Sequence, residues 1–408
     1  VASGGTYRPL KFIRYLREFG WNSVIIAPTE CRYESQDFSL LQEIPYKTEI
    51  IRVKPGVEAT WQYSIMRKLK LARYYDDELI PDRHIGFVEN AIEAAKRRIK
   101  LGGIDLVFTS APPYSIHLAG MEVTKETGIP WVCDFRDPWV ACPFYNPPSA
   151  QHDRQNREFE KSYFENASAV IAFPKIRAQR EQERYPEFSH KIISIDNGFD
   201  PVDFPEQVPE PEKDKIVISH VGAITKDRPV TAFLEVLSTV LCSDKNLKNK
   251  IVIEFYGDSR SPTPEDVARL ALSEMTNFNG YVSHKDACKA MASSNLLFMV
   301  LPELKGADGI MPLRLFEYVY SSRPVFLISS EGEASRFLEE TKGGVWVDNS
   351  NTDEITEKLS EMLNKIISGG YKHNPDLSIL KKFERRNLTE KLANLFNDLV
   401  DGGSVIER

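Results

Sequence analysis

The chain has 408 residues, of which 42% are hydrophobic and 27% are charged. One hydrophobic core rarely organises so long a chain, so we expect two domains. The formal net charge of −7 argues against a basic nucleic-acid-binding surface, and no nucleic acid partner is predicted. No apolar run is long enough to span a bilayer, and the five cysteines form no Cys-x-x-Cys pair. A cytoplasmic protein fits best, and peripheral association with the inner face of a membrane stays open.

Short apolar runs alternate with helical patterns through the first 200 residues. Residues 10–19 and 84–100 have helical spacing, and Gly20 is placed to end the first of these helices. The apolar runs are short and apolar throughout, as strands buried on both faces of a parallel sheet are. They are residues 23–27, 105–108, 131–133, 169–172 and 192–195. The alternation predicts a doubly wound α/β domain over residues 1–200.

A second alternation follows a proline-rich segment. Residues 201–214 carry four prolines among acidic residues, which predicts an extended linker. The next predicted strands are residues 215–219, 251–255, 296–300 and 325–328, and amphipathic helices cover 352–367 and 379–400. A second α/β domain is therefore expected over residues 215–378, with helix 379–408 rejoining the first domain. Ligands of such domains bind at the carboxyl ends of the strands.

The segment after the strand at 296–300 carries the strongest functional pattern. Residues 306–312 are rich in glycine, and the helix that follows carries Arg314 and Glu317. Glycines and a helix N-terminus favour an anion, and a phosphate would explain a cation in the first helical turn. Glu317, one turn further on, is placed to accept hydrogen bonds from a ribose diol. An ordinary capped helix with a surface ion pair is the alternative.

The run Gly309-Ile310-Met311-Pro312-Leu313-Arg314-Leu315-Phe316-Glu317-Tyr318, followed by Ser322-Arg323-Pro324-Val325, resembles the donor-site signature of family 4 glycosyltransferases. The resemblance implies a GT-B fold, in which two Rossmann-like doubly wound domains face each other across a cleft. It also implies that Glu317 holds the ribose of a nucleotide sugar. The usual motif has an earlier glutamate, which would fall at Gly309, so this chain resembles the branch that lacks it.

Three further segments carry the same resemblance. His220 to Arg228 is similar to the family's loop that clamps the donor diphosphate, with Lys226 and Arg228 as its cations; a solvated loop is the alternative. Residues 196–204, which begin Asp-Asn-Gly-Phe-Asp, resemble the segment before the interdomain linker. Residues 256–258 and 279–282 resemble the loops that flank the nucleotide base. The seven histidines are dispersed along the chain and are interpreted as structural.

In the first half, the strand at 131–133 runs into Asp134-Phe135-Arg136-Asp137-Pro138-Trp139. In the wider family a His-Asp pair that contacts the sugar often stands where Arg136 and Asp137 stand here. A structural ion pair is the alternative. Gly4 and Gly5 are expected in a loop that precedes the first helix and approaches the donor phosphates. The family's first strand would precede that loop, and we expect the natural protein to carry it.

Together these patterns predict a retaining glycosyltransferase that moves a sugar from a nucleotide-diphosphate sugar, with UDP the expected nucleotide, to a glycan or lipid-linked acceptor of cell-surface polysaccharide synthesis. No cofactor and no metal are expected. The predicted catalytic residues are Arg136, Asp137, Lys226 and Arg228, and the predicted donor-binding residues are Gly4, Gly5, Gly222, Asp258, Val282, Gly309, Ile310, Met311, Arg314, Leu315 and Glu317. A non-catalytic nucleotide-sugar-binding subunit and a nucleotide-sugar 2-epimerase are the alternatives.

Overall fold

The computed structural model describes residues 4–29, 37–55, 65, 79–207, 215–222, 224, 230–257 and 261–402. Contacts between backbone segments divide the chain into two compact units. Unit 1 consists of residues 1–197 and 385–408, and unit 2 of residues 198–384. The chain therefore leaves unit 1 after Asn197 and returns to it at Arg385.

Unit 1 alternates strands and helices, and each strand pairs in parallel with its neighbours. Its strands are β1 (Val24–Pro28), β2 (Glu49–Val53), β3 (Val107–Ala111), β4 (Trp131–Phe135), β5 (Ala169–Ala172) and β6 (Ile192–Ser194). Its helices are α1 (Gly4–Leu16), α2 (Ile85–Ile99), α3 (Ile116–Thr127), α4 (Ala150–Asn166) and α5 (Lys175–Arg184). Within the described residues, β1 pairs with β2, and a second sheet has the order β3-β4-β5-β6.

Strand β4 shows why this sheet is apolar on both faces. Side chains alternate across a strand, so Trp131 and Phe135 pack on one side and Val132 on the other. Trp131 and Phe135 join a core that includes Tyr163 of α4. Val132 joins a core that contains residues of α1 and of the C-terminal helix. Layers on both faces explain the continuous apolar runs of the sequence.

In the part of unit 2 that the structure describes, the strands form one six-stranded parallel sheet with the order β12-β11-β10-β7-β8-β9. Its strands are β7 (Ile216–Val221), β8 (Ile251–Tyr256), β9 (Thr276–Phe278), β10 (Leu296–Val300), β11 (Val325–Ile328) and β12 (Gly344–Val347). Its helices are α6 (Val230–Ser243), α7 (Lys245–Lys248), α8 (Pro264–Arg269), α9 (His284–Ser293), α10 (Leu313–Tyr320), α11 (Glu333–Glu340), α12 (Thr352–Ile367) and α13 (Leu377–Leu380). Read from the other edge, this order is that of a Rossmann-like domain.

The predicted strands of both halves are confirmed, with shifts of a few residues at their ends. Strands β2, β9 and β12 were not predicted from the sequence. β2 and β9 carry exposed or half-buried side chains at most positions, so they lack the apolar signature of a buried strand. The helix ending is also confirmed, because Gly20 closes a short 3-10 turn after α1 in a left-handed conformation, with φ of 87°.

The last helix, α14 (Arg385–Val400), packs against α1 within unit 1. Leu388 and Leu392 are fully buried there, in the same core as Phe12 of α1 and Val132 of β4. A helix from the end of the chain thus covers one face of the first sheet. Its apolar stripe contributes to the stability of unit 1 rather than unit 2.

Replacing Leu392 with alanine should destabilise unit 1, because the side chain is 0% exposed and its removal leaves a cavity. The expected loss in the free energy of unfolding is about 3 kcal/mol. Denaturant unfolding followed by circular dichroism measures it. Asn394→Ala on the exposed side of the same helix is the matched control. Equal midpoints for the two variants would contradict this packing.

Candidate functional site

The order in which the chain adds strands to the unit 2 sheet reverses between β7 and β10. The chain moves from β7 to β8 and β9 on one side, and from β10 to β11 and β12 on the other. Helices therefore leave this point on opposite faces, and a crevice opens outside the carboxyl ends of the two strands. Gly222 follows β7, and the glycine-rich segment 306–312 follows β10. The fold thus brings these two predicted segments to the same point.

Helix α10 is held at this crevice by Tyr318. The Tyr318 hydroxyl accepts a hydrogen bond from the Val221 N–H at 2.7 Å and donates to the Val221 carbonyl at 3.2 Å. Both groups are buried. A Cβ built on Gly222 would lie 3.8 Å from Cγ of Arg314, so the arginine stem runs past this glycine. The absence of a side chain at Gly222 keeps the space beside Arg314 open.

Glu317 lies at the centre of a group of charged and polar side chains, which we call the Glu317 cluster: the buried Asp203, His284 and Glu317, and the half-buried Arg314. Arg314 Nη1 donates to Glu317 Oε2 at 2.5 Å, and His284 Nε2 lies 2.9 Å from Glu317 Oε1. On the far side of the imidazole, His284 Nδ1 lies 3.5 Å from Asp203 Oδ2. Glu317 is only 2% exposed.

The cluster keeps the Glu317 carboxyl ionised. Burial acts to raise its pKa, but Arg314 and His284 outweigh burial and lower the pKa to about 2. A buried carboxylate is stable only when it is paired and hydrogen-bonded, and both oxygens of Glu317 have such partners. The side chain is therefore available as a fixed acceptor at any physiological pH.

Asp203 and His284 were not predicted as site residues. Asp203 ends a 3-10 turn, Pro201–Asp203, that Asp200 caps by accepting a hydrogen bond from the Val202 N–H. His284 opens α9, immediately after the Ser283 cap and two residues after Val282. Both lie in or beside segments that carry the resemblance. Asp203 also falls within residues 201–214, which were predicted as an extended linker but begin with this 3-10 turn. The meeting of Asp203 and His284 at Glu317 depends on long-range folding that no local pattern gives.

The turn that holds Asp203 is fixed to α10 by aromatic packing. Phe199 stacks on Tyr320 with ring centres 4.3 Å apart, and Phe204 meets the same ring edge-on at 4.9 Å. Phe199 is 1% exposed, and its N–H donates to the Phe383 carbonyl. The Asn-Gly-Phe-Asp segment of the sequence therefore has a structural role in unit 2.

The other predicted donor residues of segment 306–315 are arranged as follows. Gly309 ends a 3-10 turn, Ala307–Gly309, and is buried. Ile310 and Met311 are half-buried in the stretch before α10, and Leu315 is fully buried in the helix. The turn is pressed against Gly332, where a Cβ would lie 2.4 Å from the Asp308 carbonyl oxygen. Arg314 and Glu317 are thus the charged members of this set.

Val282 is half-buried at the entry to α9, beside His284. The remaining predicted residues of unit 2, Lys226, Arg228 and Asp258, lie outside the described residues. Their assignment to the diphosphate and to the base stays a prediction.

In unit 1, the predicted glycine-rich loop is part of helix α1, so the expectation that Gly4 and Gly5 precede the first helix is wrong. Arg8, in the second turn of this helix, makes the contacts that hold its N-terminal end in place. It forms a two-pronged ion pair with Asp134, at 3.1 and 2.9 Å, and donates to the carbonyls of Ile195 and Asp196. Arg8 is 1% exposed. Its contacts fix the start of α1 above the carboxyl ends of β4 and β6.

Arg136 and Gly5 are brought together by this arrangement. A Cβ on Gly5 would lie 2.5 Å from Nη2 of Arg136, so a larger residue at this position would displace the guanidinium. Arg136 donates to the Pro112 carbonyl and, at 3.4 Å, to Ser110 Oγ. Its Nε is buried without a hydrogen-bond partner. Burial lowers the Arg136 pKa, against the opposing effect of Asp137 and Asp134.

The charged partner of Asp134 is Arg8, whereas the predicted residue Asp137 lies on the surface. Its backbone is anchored by Tyr114, whose hydroxyl donates to the Pro138 carbonyl at 2.9 Å. Tyr114 in turn stacks on Trp139 at 4.6 Å. The loop after β4 is therefore rigidly held while the Asp137 side chain faces solvent.

A pocket opens behind this loop in unit 1, at the carboxyl ends of β4 and β5. Its lining is mainly aromatic, with charged side chains at one end: Phe135, Trp139, Phe173, Glu160, Arg177 and Glu181. Glu160 accepts hydrogen bonds from the Val140 N–H and the Tyr185 hydroxyl, and it pairs with Arg184. Burial raises the Glu181 pKa to about 7, although Arg177 offsets part of the rise.

Two further observations concern only the described part of the chain. No helix there has the length and apolar character that crossing a membrane requires. No group of three or more His, Cys, Asp and Glu side chains there is arranged to hold a metal ion.

The structure is similar to several solved structures at low sequence identity. Sucrose-phosphate synthase from Thermosynechococcus elongatus has a TM-score of 0.68 and 13% identity, over 98% of this chain and 95% of that chain. Anabaena HepE, solved in complex with UDP and glucose, has a TM-score of 0.60 and 13% identity over 97% and 96%. WaaG, a glycosyltransferase involved in lipopolysaccharide biosynthesis, has a TM-score of 0.60 and 15% identity over 98% and 97%.

These likenesses define the class of the fold: it is the GT-B fold of two Rossmann-like domains, as the sequence predicted. Residues 203–368, most of unit 2, match the model of the family described as Glycosyl transferases group 1. The family match and the fold together support a glycosyltransferase. No curated protein matches the chain in sequence.

The stabilising effect of the Glu317 carboxylate should depend on pH. Its pKa is about 2 in the folded protein against 4.5 as the ordinary value, so its contribution is present above pH 4.5 and is lost as the pH falls towards 2. The contribution is about 3 kcal/mol at pH 7. Glu317→Gln removes it. The difference in unfolding free energy between the natural protein and this variant should shrink by roughly 1 kcal/mol between pH 6 and pH 3.5, as measured by urea denaturation; a constant difference would contradict the cluster's electrostatics.

Glu181 should show the opposite dependence. Its folded-state pKa is raised from 4.5 to about 7, so ionising the buried carboxyl destabilises unit 1 progressively between these two pH values. Glu181→Gln removes this ionisation. The variant should gain about 3 kcal/mol over the natural protein on going from pH 4.5 to pH 8. Exposed Glu183→Gln on the same helix is the control and should give a flat difference.

Proposed function

We propose that this protein is a retaining glycosyltransferase that transfers a sugar from a nucleotide-diphosphate sugar, with UDP as the nucleotide, to a glycan or lipid-linked acceptor of cell-surface polysaccharide synthesis. The observation that carries the proposal is the Arg314–Glu317 pair beside Gly222, at the point where the strand order of the unit 2 sheet reverses. This pair would supply a cation for a phosphate and an ionised carboxylate for a ribose.

The choice of donor and acceptor class has separate support. The structurally similar HepE was solved with UDP and glucose, and WaaG acts in lipopolysaccharide biosynthesis. The sequence of segment 309–325 resembles the donor site of a family whose members use nucleotide sugars and retain the configuration of the sugar. Retention is proposed on that resemblance.

The proposed chemistry is mainly electrostatic. The leaving nucleoside diphosphate gains negative charge as the glycosidic bond breaks, and fixed cations lower the energy of that state. Arg314, with Lys226 and Arg228, which follow β7 in the sequence, would supply these cations. The leaving phosphate would help to deprotonate the acceptor hydroxyl, so no enzymic nucleophile is required. In unit 1, Arg136 and Asp137 are proposed to contact the transferred sugar or its acceptor.

Donor binding is tested by thermal shift with a panel of nucleotide sugars. A ligand that binds only the folded state raises the melting temperature according to its concentration and affinity. The natural protein should respond to a UDP-sugar, and Glu317→Ala should lose the response, because the ribose acceptor is removed. Glu340→Ala, an exposed change on α11, is the control and should keep it. A full response in Glu317→Ala would mean that the donor binds elsewhere.

Turnover separates the proposal from its rivals. Release of UDP that depends on an added glycan or lipid-linked acceptor supports the transferase. Conversion of the nucleotide sugar to its 2-epimer without an acceptor would instead indicate an epimerase. Tight nucleotide binding with neither product would indicate a non-catalytic subunit.

A further inference from the structure

His284 stands between two carboxylates of unit 2. Its Nε2 lies 2.9 Å from Glu317 Oε1, and its Nδ1 lies 3.5 Å from Asp203 Oδ2. All three residues are buried, with exposures of 5% for His284, 2% for Glu317 and 6% for Asp203. Since a rigid planar ring joins the two carboxylates, the position of the Glu317 oxygens is tied to the turn at Asp203.

The hydrogen-bonding capacity of Glu317 is only partly used by these partners. A carboxylate offers about four acceptor positions. His284 takes one on Oε1 and Arg314 takes one on Oε2. Each oxygen therefore retains an acceptor position, and the two oxygens lie in one plane set by two separate donors. Two acceptors at a fixed spacing match the two adjacent hydroxyls of a ribose.

Arg314 alone would not fix this plane. Its side chain is 23% exposed and extends from the first turn of α10. His284, in contrast, begins a different helix and has a carboxylate beside each ring nitrogen. A second donor from another element removes the rotation of the carboxylate about its own axis. Acceptors held in advance bind a diol at a lower entropic cost.

We propose that His284 is a positioning residue that orients Glu317 for both hydroxyls of a ribose, with Asp203 holding the imidazole. The inference deepens the proposed function and rests on it. Recognition of a ribonucleotide over its 2′-deoxy counterpart is the property that His284 controls. A residue that served stability alone would affect both nucleotides equally.

The test measures the affinities of UDP and 2′-deoxy-UDP by isothermal titration calorimetry on the full chain. The natural protein should bind UDP at least about tenfold more tightly, because the deoxynucleotide leaves one charged acceptor without a hydroxyl. His284→Asn and His284→Gln form a matched pair of neutral amides. The longer glutamine places an N–H near the position of Nε2, towards Glu317, whereas asparagine places one near Nδ1, towards Asp203.

Discrimination between the two nucleotides should persist in His284→Gln and fall to less than about threefold in His284→Asn. Exposed His190→Gln in unit 1 is the control for the substitution itself. Full discrimination in His284→Asn would overturn the inference and leave the proposed function standing. The same holds if both variants lose affinity for the two nucleotides by the same factor. A natural protein that binds neither nucleotide would overturn the proposed function, and this inference with it.

Discussion

The buried carboxylate of Glu317 constrains most of what surrounds it. An ionised group at 2% exposure needs donors on both oxygens, and they come from two elements distant in the sequence, α9 and α10. Tyr318, the next residue along, fastens the same helix to the end of β7. These contacts therefore fix the positions of the carboxylate, the helix and the strand end relative to one another. Arg314 and Glu317 are therefore held on a rigid support at the ends of β7 and β10.

Unit 1 also contains a buried ion pair, between Arg8 and Asp134, and this pair has a structural role. Arg8 meets both oxygens of Asp134 and also two carbonyls after β6, so its donors are spent on the protein itself. The pair ties α1 to the ends of two strands. Arg136, in contrast, fills the space that Gly5 leaves and keeps a buried Nε without a partner. The arginine in the helix is thus structural, whereas a role for Arg136 towards a ligand stays a prediction.

Much of this fold follows from the sequence because parallel strands buried on both faces leave a continuous apolar signature. Leu296 to Val300 is buried at every position, and its strand was predicted with its observed bounds. Strand β9 was missed because two of its three residues are exposed. The candidate site was also predicted only where a local pattern exists. Arg314 and Glu317 lie one helical turn apart, so a local pattern identifies them, whereas Asp203 and His284 join them only through tertiary contacts.

The misplacement of Gly4 and Gly5 illustrates the limit of a family pattern. The resemblance implies a glycine-rich loop, but glycine can adopt many backbone conformations and does not by itself determine one. It can therefore lie in a helix as well as in a loop. Here both glycines lie in the first turn of α1, and Arg8 of the next turn binds Asp134. The glycine still matters for packing, because Gly5 lies against the Arg136 guanidinium and a side chain there would displace it. Gly5 thus leaves space for the Arg136 guanidinium in unit 1, although its backbone is helical rather than part of a loop.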